Sequence, residues 1–305
     1  MKKVLITGAG GAGIYPIWKI LKNKYKMYFA DMEPELINPK LPNILKIKIQ
    51  SANNKFYIRD LLRIIKKYKI DLVIPTVDEE IIKIVNYKKI LKISYIPNKE
   101  FIKRTMDKYV LYTELKKVNL DAPLTYLANE KKIPFPKNYI IKPRYGRGSK
   151  NIFFISKKNH IKNYLKLHEF LPKNVVIQEK LNGKEYSVYV GMNNKQKIIK
   201  ILPVKILKKK GITISGKIEN NKKIEIYLKK FIKCFPTNNS FNIQLFLTKK
   251  GIFPFEINPR ISTTFFLSLL DGYDPFSKKK KIKIKNAKFS NKPKYLLRYW
   301  GNFVN

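Results

Sequence analysis

Cysteine is nearly missing from this chain, with Cys234 alone among 305 residues. That excludes an intrachain disulfide and a cysteine-built zinc cluster, and it fits a reducing cytoplasm. Long apolar runs are missing too. The N-terminal Met1-Lys2-Lys3 leads into a short apolar stretch that breaks at Gly8, too short for a spanning helix and without a small-residue cleavage site behind an apolar segment. Neither secretion nor membrane insertion is expected. Acidic residues are few, 21 against 65 Lys and Arg, for a formal net charge of +44. A field of that sign attracts polyanions at low salt, but the lysines are spread through almost every segment together with abundant Ile and Asn, as a compositional bias would spread them. Only Lys208 to Lys210 and Lys278 to Lys281 are dense. Both runs read as solvated surface, the first also lying where a loop closing over phosphates would sit, and no specific nucleic-acid partner is expected. With 44% hydrophobic residues, the chain is globular and long enough for two or three lobes.

The first third alternates β and α signals. Lys3 to Thr7 is a short apolar strand, Gly8 to Gly13 a glycine turn and Ile14 to Leu21 a helix. Met27 to Ala30, Tyr57 to Tyr68 and Leu72 to Ile74 then read as strand, helix and strand. Alternation of this kind predicts a parallel sheet with right-handed crossovers. Gly8, Gly10 and Gly13, with Asp31 beyond, satisfy the dinucleotide fingerprint. A glycine turn equally lets a first strand pack closely on its helix, and the only Tyr-x-x-x-Lys pair, Tyr95 to Lys99, contains Pro97, which argues against a helical catalytic pair. After the third strand, Thr76 or Asp78 is placed to cap a helix whose first turn carries Glu79 and Glu80. A substrate contact from the same loop is the other reading, because open α/β sheets bind ligands at their carboxyl ends.

Beyond Pro97 the pattern changes to a helix over Lys99 to Met106, the link Asp107-Lys108 and a second helix through Lys117. Tyr139 to Pro143 reads as a strand ending near Lys142. A basic glycine loop, Arg144-Tyr145-Gly146-Arg147-Gly148-Ser149, follows before strand resumes at Ile152 to Ile155. The loop is suited to a phosphate, with an ordinary hairpin as the alternative. Val175 to Leu181 is an apolar strand turned by Asn182-Gly183, with Lys184 to Val188 returning. Its Gln178, Glu179, Lys180 and Leu181 can offer backbone groups to an adenine edge, and Glu185 lies within reach of a ribose hydroxyl or, equally, of a cross-strand lysine.

The segment Phe253-Pro254-Phe255-Glu256-Ile257-Asn258-Pro259-Arg260 places a carboxylate, an amide and a guanidinium at alternate positions of a strand, about 6.5 to 7 Å apart on one face. Phe255 and Ile257 are expected to point the other way, into a core. Hard oxygens there suit Mg²⁺ and the arginine suits phosphate; a surface strand with a salt bridge is the plain alternative. A hairpin through Lys249-Lys250-Gly251 pairs this strand with Asn242 to Leu247 and brings Gln244 to the face of Glu256 and Asn258.

In this order, basic strand end, glycine loop, acidic strand and oxygen-bearing hairpin, the chain resembles the ATP-grasp enzymes, most specifically the ATP-binding units of the carbamoyl-phosphate synthetase large subunit and stand-alone relatives. The similarity is sharpest from Glu256 to Ser262 and on to Gly272-Tyr273-Asp274-Pro275. It implies an α/β protein with a Rossmann-like pre-ATP-grasp domain over residues 1–97 and a two-lobed ATP-grasp domain over 98–305, the lid lobe about 110–178 and the ATP- and metal-binding lobe about 179–305. It also implies ATP with Mg²⁺, Mn²⁺ being possible. Lys108 and Lys142 resemble phosphate ligands, Gly146 to Ser149 the closing loop, Gln178 to Leu181 the adenine hinge and Glu185 the ribose acid. Gln244, Glu256 and Asn258 resemble the metal ligands, and Arg260 the residue that steadies the transferred phosphate. The implied activity is ADP-forming ligation of small-molecule carboxylate and amine substrates, with a nucleotide-binding regulatory protein as the alternative. With one such unit and no glutaminase triad, carbamoyl phosphate synthesis is not expected. The end of the chain, Tyr295 to Trp300, reads as a closing strand beside the ATP site or a homodimer contact.

Overall fold

The computed structural model describes residues 1–135, 138–146, 148–277 and 295–299. Arg147, the lysine run 278–281 and Trp300 lie outside the described residues. The first sheet contains β1 (Lys2–Thr7), β2 (Tyr25–Asp31), β3 (Lys46–Lys48) and β4 (Leu72–Pro75) in the order β3-β2-β1-β4. All its pairings are parallel. Helices α1 (Ile14–Leu21) and α2 (Tyr57–Tyr68) cover it, followed by α3 (Asp78–Ile84) and α4 (Lys88–Leu91). The strands are apolar runs because both faces are buried: Val4, Ile6 and Phe29 pack with α1, while Leu5, Tyr28 and Val73 pack with α2 and α3. The three-residue edge strand β3, with no residue buried, left no sequence signal.

Two helices lead out of this unit, α5 (Lys99–Thr105) and α6 (Lys108–Lys117). Asn98 caps the first, accepting from Phe101 N at 2.8 Å. Asp107, expected in a link, instead caps the second through Tyr109 N and Val110 N, because a short carboxylate satisfies the orphan N–H groups of a first turn.

An antiparallel sheet follows, made of β5 (Thr125–Leu127), β6 (Tyr139–Pro143), β7 (Phe153–Ile155) and, after α7 (Asn159–His168), β8 (Val175–Glu179), in the order β5-β8-β6-β7. A larger sheet holds β9 (Lys184–Met192), β10 (Ile198–Lys210), β11 (Ile212–Ile218), and, after α8 (Lys222–Cys234), β12 (Phe241–Leu247) and β13 (Ile252–Asn258). Past α9 (Phe266–Leu270), β14 (Tyr295–Leu297) pairs with β11, so the terminal segment does close a sheet edge. The sheet order is β13-β12-β9-β10-β11-β14. One expectation fails here: β8 and β9 are not partners across Asn182-Gly183 but belong to different sheets. Gly183 carries the crossover beneath β12, where an added Cβ would stand 2.6 Å from Leu247 O.

Candidate active site

The expected hairpin of β12 and β13 forms with Gln244 opposite Glu256. Its register shifts between Gln244 and Leu245, so that Leu245 pairs with Pro254 and Phe255 is the extra residue of a β-bulge. A bulge re-aims side chains. Ile257 enters the core as expected. Phe255 instead turns toward the site, its ring 5.3 Å from the Lys142 ammonium and 5.7 Å from that of Lys209.

Glu256 is the centre. Its Oε1 accepts from Gln244 Nε2 at 3.0 Å and from Asn258 Nδ2 at 3.1 Å, and its Oε2 faces Lys108 Nζ at 3.9 Å. Burial by itself would raise this carboxyl, but Lys108 and Lys142 outweigh it and hold the group below the usual carboxylate range. Asn258 Oδ1 accepts from Arg260 Nη2 at 2.9 Å, and Arg260 Nε donates to Asp78 Oδ1 at 2.5 Å. The strand ends at Asn258 and Arg260 lies in the bend beyond Pro259, so the three do not share one strand face as expected, but their side chains still form one hydrogen-bonded row.

The smaller sheet supplies the opposite wall. Lys142 of β6 is 4% exposed and donates to Gln178 Oε1 of β8 at 2.8 Å. Burial, reinforced by the charges of Lys108 and Lys209, brings its ammonium down to about 7. Lys108 opens α6 and donates to Gly146 O at 3.1 Å, tying the helix to the glycine loop. Arg144 Nε and the Tyr145 hydroxyl both reach Asp107 Oδ2 at 2.7 Å, which fixes the loop's entry. Gly148 and Ser149 are placed farther along: Gly148 O lies within 3.0 Å of the Cβ position of Gly211, at the turn joining β10 to β11, and Ser149 borders the space between Lys108, Lys142 and Glu256.

At the hinge, Glu179 N and Lys180 N donate to Leu124 O and Asn138 O, and the Glu179 carboxylate accepts from Leu124 N. Lys180 covers the Phe154 ring, and Leu181 continues the crossover toward β9. Glu185 accepts from Lys209 Nζ at 2.7 Å, and the same ammonium reaches Gln244 Oε1 at 3.2 Å. Lys209 and Asp78, read only as part of a lysine run and of a capping loop, and Phe255, read as core, thus join the candidate site. The lysine run at 208–210 was the available signal for the first. Register shifts at Lys208 between β10 and β11 turn its middle member inward.

The N-terminal expectations change. Thr76 does not cap α3, which has no side-chain cap; its hydroxyl donates to Thr7 O and Gly8 O. Asp78 pairs with Arg260 instead. Asp31 accepts from Gly10 N and Glu33 N, so its carboxylate braces the glycine turn. Close approach accounts for Gly13, whose added Cβ would stand 2.9 Å from Thr263 O. Between this turn and Arg260 lies a cavity of about 540 Å³. No helix among the described residues is long and apolar enough to cross a membrane.

Residues 105–264, just over half of the chain, match the model of the ATP-grasp domain. Among curated relatives, the D-alanine–D-alanine ligase of Petrotoga mobilis is 34% identical over 137 residues, 43% of this chain and 45% of that ligase; the chain thus matches less than half of that relative's length. The tyramine–L-glutamate ligase of Methanocaldococcus jannaschii is 28% identical over 288 residues, 87% of this chain and 80% of that protein. The fold is shared with N5-carboxyaminoimidazole synthetase from Staphylococcus aureus, solved with ADP, at a TM-score of 0.67 and 17% identity over 90% of this chain and 75% of the other. With sheets, hairpin and matched segment in agreement, the chain belongs to the ATP-grasp family.

Proposed function

We propose that this protein is an ADP-forming carboxylate–amine ligase that uses MgATP to activate a carboxylate as an acyl phosphate. The observation that carries the reading is the convergence of Lys108 and Lys142 on Glu256, which Asn258 links to Arg260, between two antiparallel sheets, beside a cavity at the carboxyl ends of a parallel sheet. Its relatives include ligases that join amino compounds, by name D-alanine to D-alanine and tyramine to L-glutamate. We assign residues 1–97 to the pre-ATP-grasp domain, 98–305 to the ATP-grasp domain, and the two lobes to about 110–178 and 179–305.

The donors fit Mg²⁺. One carboxylate and two amide oxygens, Glu256, Gln244 and Asn258, form a hard-oxygen set, and a hard ion completes its shell with water and phosphate oxygens. When bound, the metal neutralises charge on the phosphate oxygens. Lys108 and Lys142 hold the phosphates from the α6 end and the β6 end, and Arg260, fixed by Asp78, faces the oxygens of the transferring group. Lys180 and Leu181 receive the adenine edge, and Glu185, released from Lys209, the ribose. Gly146, Gly148 and Ser149 cover the phosphates and exclude water from the acyl phosphate. The test is a screen of ADP release over amino acids, small carboxylates and amines, with L-glutamate, D-alanine and tyramine first. Release that requires both a carboxylate and an amine is expected; nucleotide binding without release across the screen would favour a regulatory protein.

A further inference from the structure

The cavity beside Arg260 departs from the rest of the molecule in charge. Among the described residues that line it are Asp31, Glu33 and Glu80 and one cation, Arg260, with the Arg298 guanidinium donating to the carbonyls of Ala12 and Thr263 in its wall, in a chain whose Lys and Arg outnumber its acids by 65 to 21. Arg260 is itself committed to Asp78, Asn258 and Ile261 O. The acids suit a molecule that carries a positive charge, as an ammonium does. An ammonium is not a nucleophile until it gives up a proton.

Glu80 stands where that proton would go. Glu80 is 4% exposed yet is one of the residues lining the cavity, and Thr7 Oγ1 donates to its Oε2 at 2.7 Å. It lies in the first turn of α3, two residues from the Asp78 that anchors Arg260, so base and reacting end are set by one helical turn. We propose that Glu80 is the catalytic base of the ligation, accepting the proton of an amine nucleophile held in this cavity. The proposal rests on the ligase reading. In the step, the nitrogen lone pair forms the C–N bond at the acyl phosphate carbon and phosphate leaves with the C–O bonding pair. The proton shed by the ammonium as it becomes that nucleophile passes to Glu80, and the second nitrogen proton, lost as the amide forms, leaves with the phosphate.

The surroundings suit the role. Burial raises the Glu80 carboxyl to about 7, against hydrogen bonds from Thr7 on β1 and the Val77 backbone, with the Tyr57 hydroxyl of α2 facing it and the Asp31 charge at the end of β2 adding to the rise. A base works best with a pKa near the operating pH. At neutral pH the carboxyl titrates where ammonium deprotonation is needed, and a carboxyl in the ordinary range would hold the proton too weakly.

Hydroxylamine separates the two halves of the reaction, because it attacks acyl phosphates as a neutral molecule at pH 7. With the carboxylate found in the screen, Glu80→Gln is expected to lower amide formation from a primary amine by about 100-fold or more, while hydroxamate formation falls by less than about 3-fold. The wild-type acid limb of kcat/KM near pH 7 is expected to vanish in this variant. Thr7→Val, which removes a hydrogen bond that favours the ionised form, is expected to move that limb to higher pH, and it keeps the test open should Glu80→Gln fail to fold. Equal losses of amide and hydroxamate, or an unmoved acid limb in both variants, would overturn the assignment of Glu80. A wild-type protein that makes no hydroxamate from any carboxylate would instead overturn the ligase reading, and the base with it.

Discussion

The candidate phosphate site and the cavity meet near Arg260 and Glu79, yet one gathers cations and the other acids. Around Glu256 stand Lys108, Lys142 and Lys209, each drawn out of the solvated lysine population by a specific contact: a capped helix start, a buried strand and a shift of register. In the cavity, Asp31 and Glu80 are held by Gly10 N and Thr7 Oγ1. A net charge of +44 therefore describes the surface and predicts neither interior. What sets the local field is which few charges the fold buries, because a charge in low dielectric acts far more strongly than one in water.

The largest effect that would break this comparison is expected from Glu256→Ala. It removes the carboxylate that Lys108 and Lys142 share, and carboxylate-dependent ADP release should fall about 100- to 1,000-fold, with circular dichroism unchanged. Wild-type release from a folded variant would refute the site. Gly13→Ala tests the join between the two regions: its Cβ would meet Thr263 O at 2.9 Å, and overpacking of this kind costs about 1 to 3 kcal/mol, readable as a lower urea midpoint. An unchanged midpoint would mean that the glycine turn does not set the approach of Thr263 to the first sheet.

Lysine position within one run sharpens the comparison further. Lys209→Met removes the charged hydrogen bonds that occupy Glu185 and Gln244 and should lower the KM for MgATP about 10-fold, whereas Lys208→Met, on the exposed side of the strand, should change it by less than about 2-fold. Similar effects from both would return the run to a diffuse surface role.

Protonation gives the smallest signal. Lys142 falls from 10.5 in the unfolded chain to about 7 in the fold, so between those values the unfolded chain binds more protons and stability rises with pH. Below pH 7 the full cost of the buried charge is present. Phosphate binding restores the charged form. MgATP-analogue binding at pH 8 should take up about one proton, and at pH 6 almost none, measured by calorimetry in buffers of different ionisation enthalpy. Equal uptake at both would mean that Lys142 stays charged throughout.

Much of the fold was legible because period and punctuation agree. The hairpin of β12 and β13 alternates on either side of Lys249-Lys250-Gly251, and β1, the glycine turn and α1 follow one another with clear boundaries. What stayed hidden depends on single-residue shifts. A bulge at Phe255 leaves no mark in composition, and neither does the register shift that turns Lys209 inward. Asn182-Gly183 is a strong hairpin signal locally, and only the third dimension shows that its strands enter different sheets. Glu80 looked like an ordinary first-turn acid; its burial beneath Thr7 depends on the packing of α3 against β1.

The most direct test of the central claim follows oxygen. With both oxygens of the identified carboxylate labelled with ¹⁸O, and its amine partner and MgATP supplied, an acyl phosphate route places one labelled oxygen in the released phosphate. Mass spectrometry should find that label in step with ADP. Phosphate free of label while amide accumulates would contradict the account.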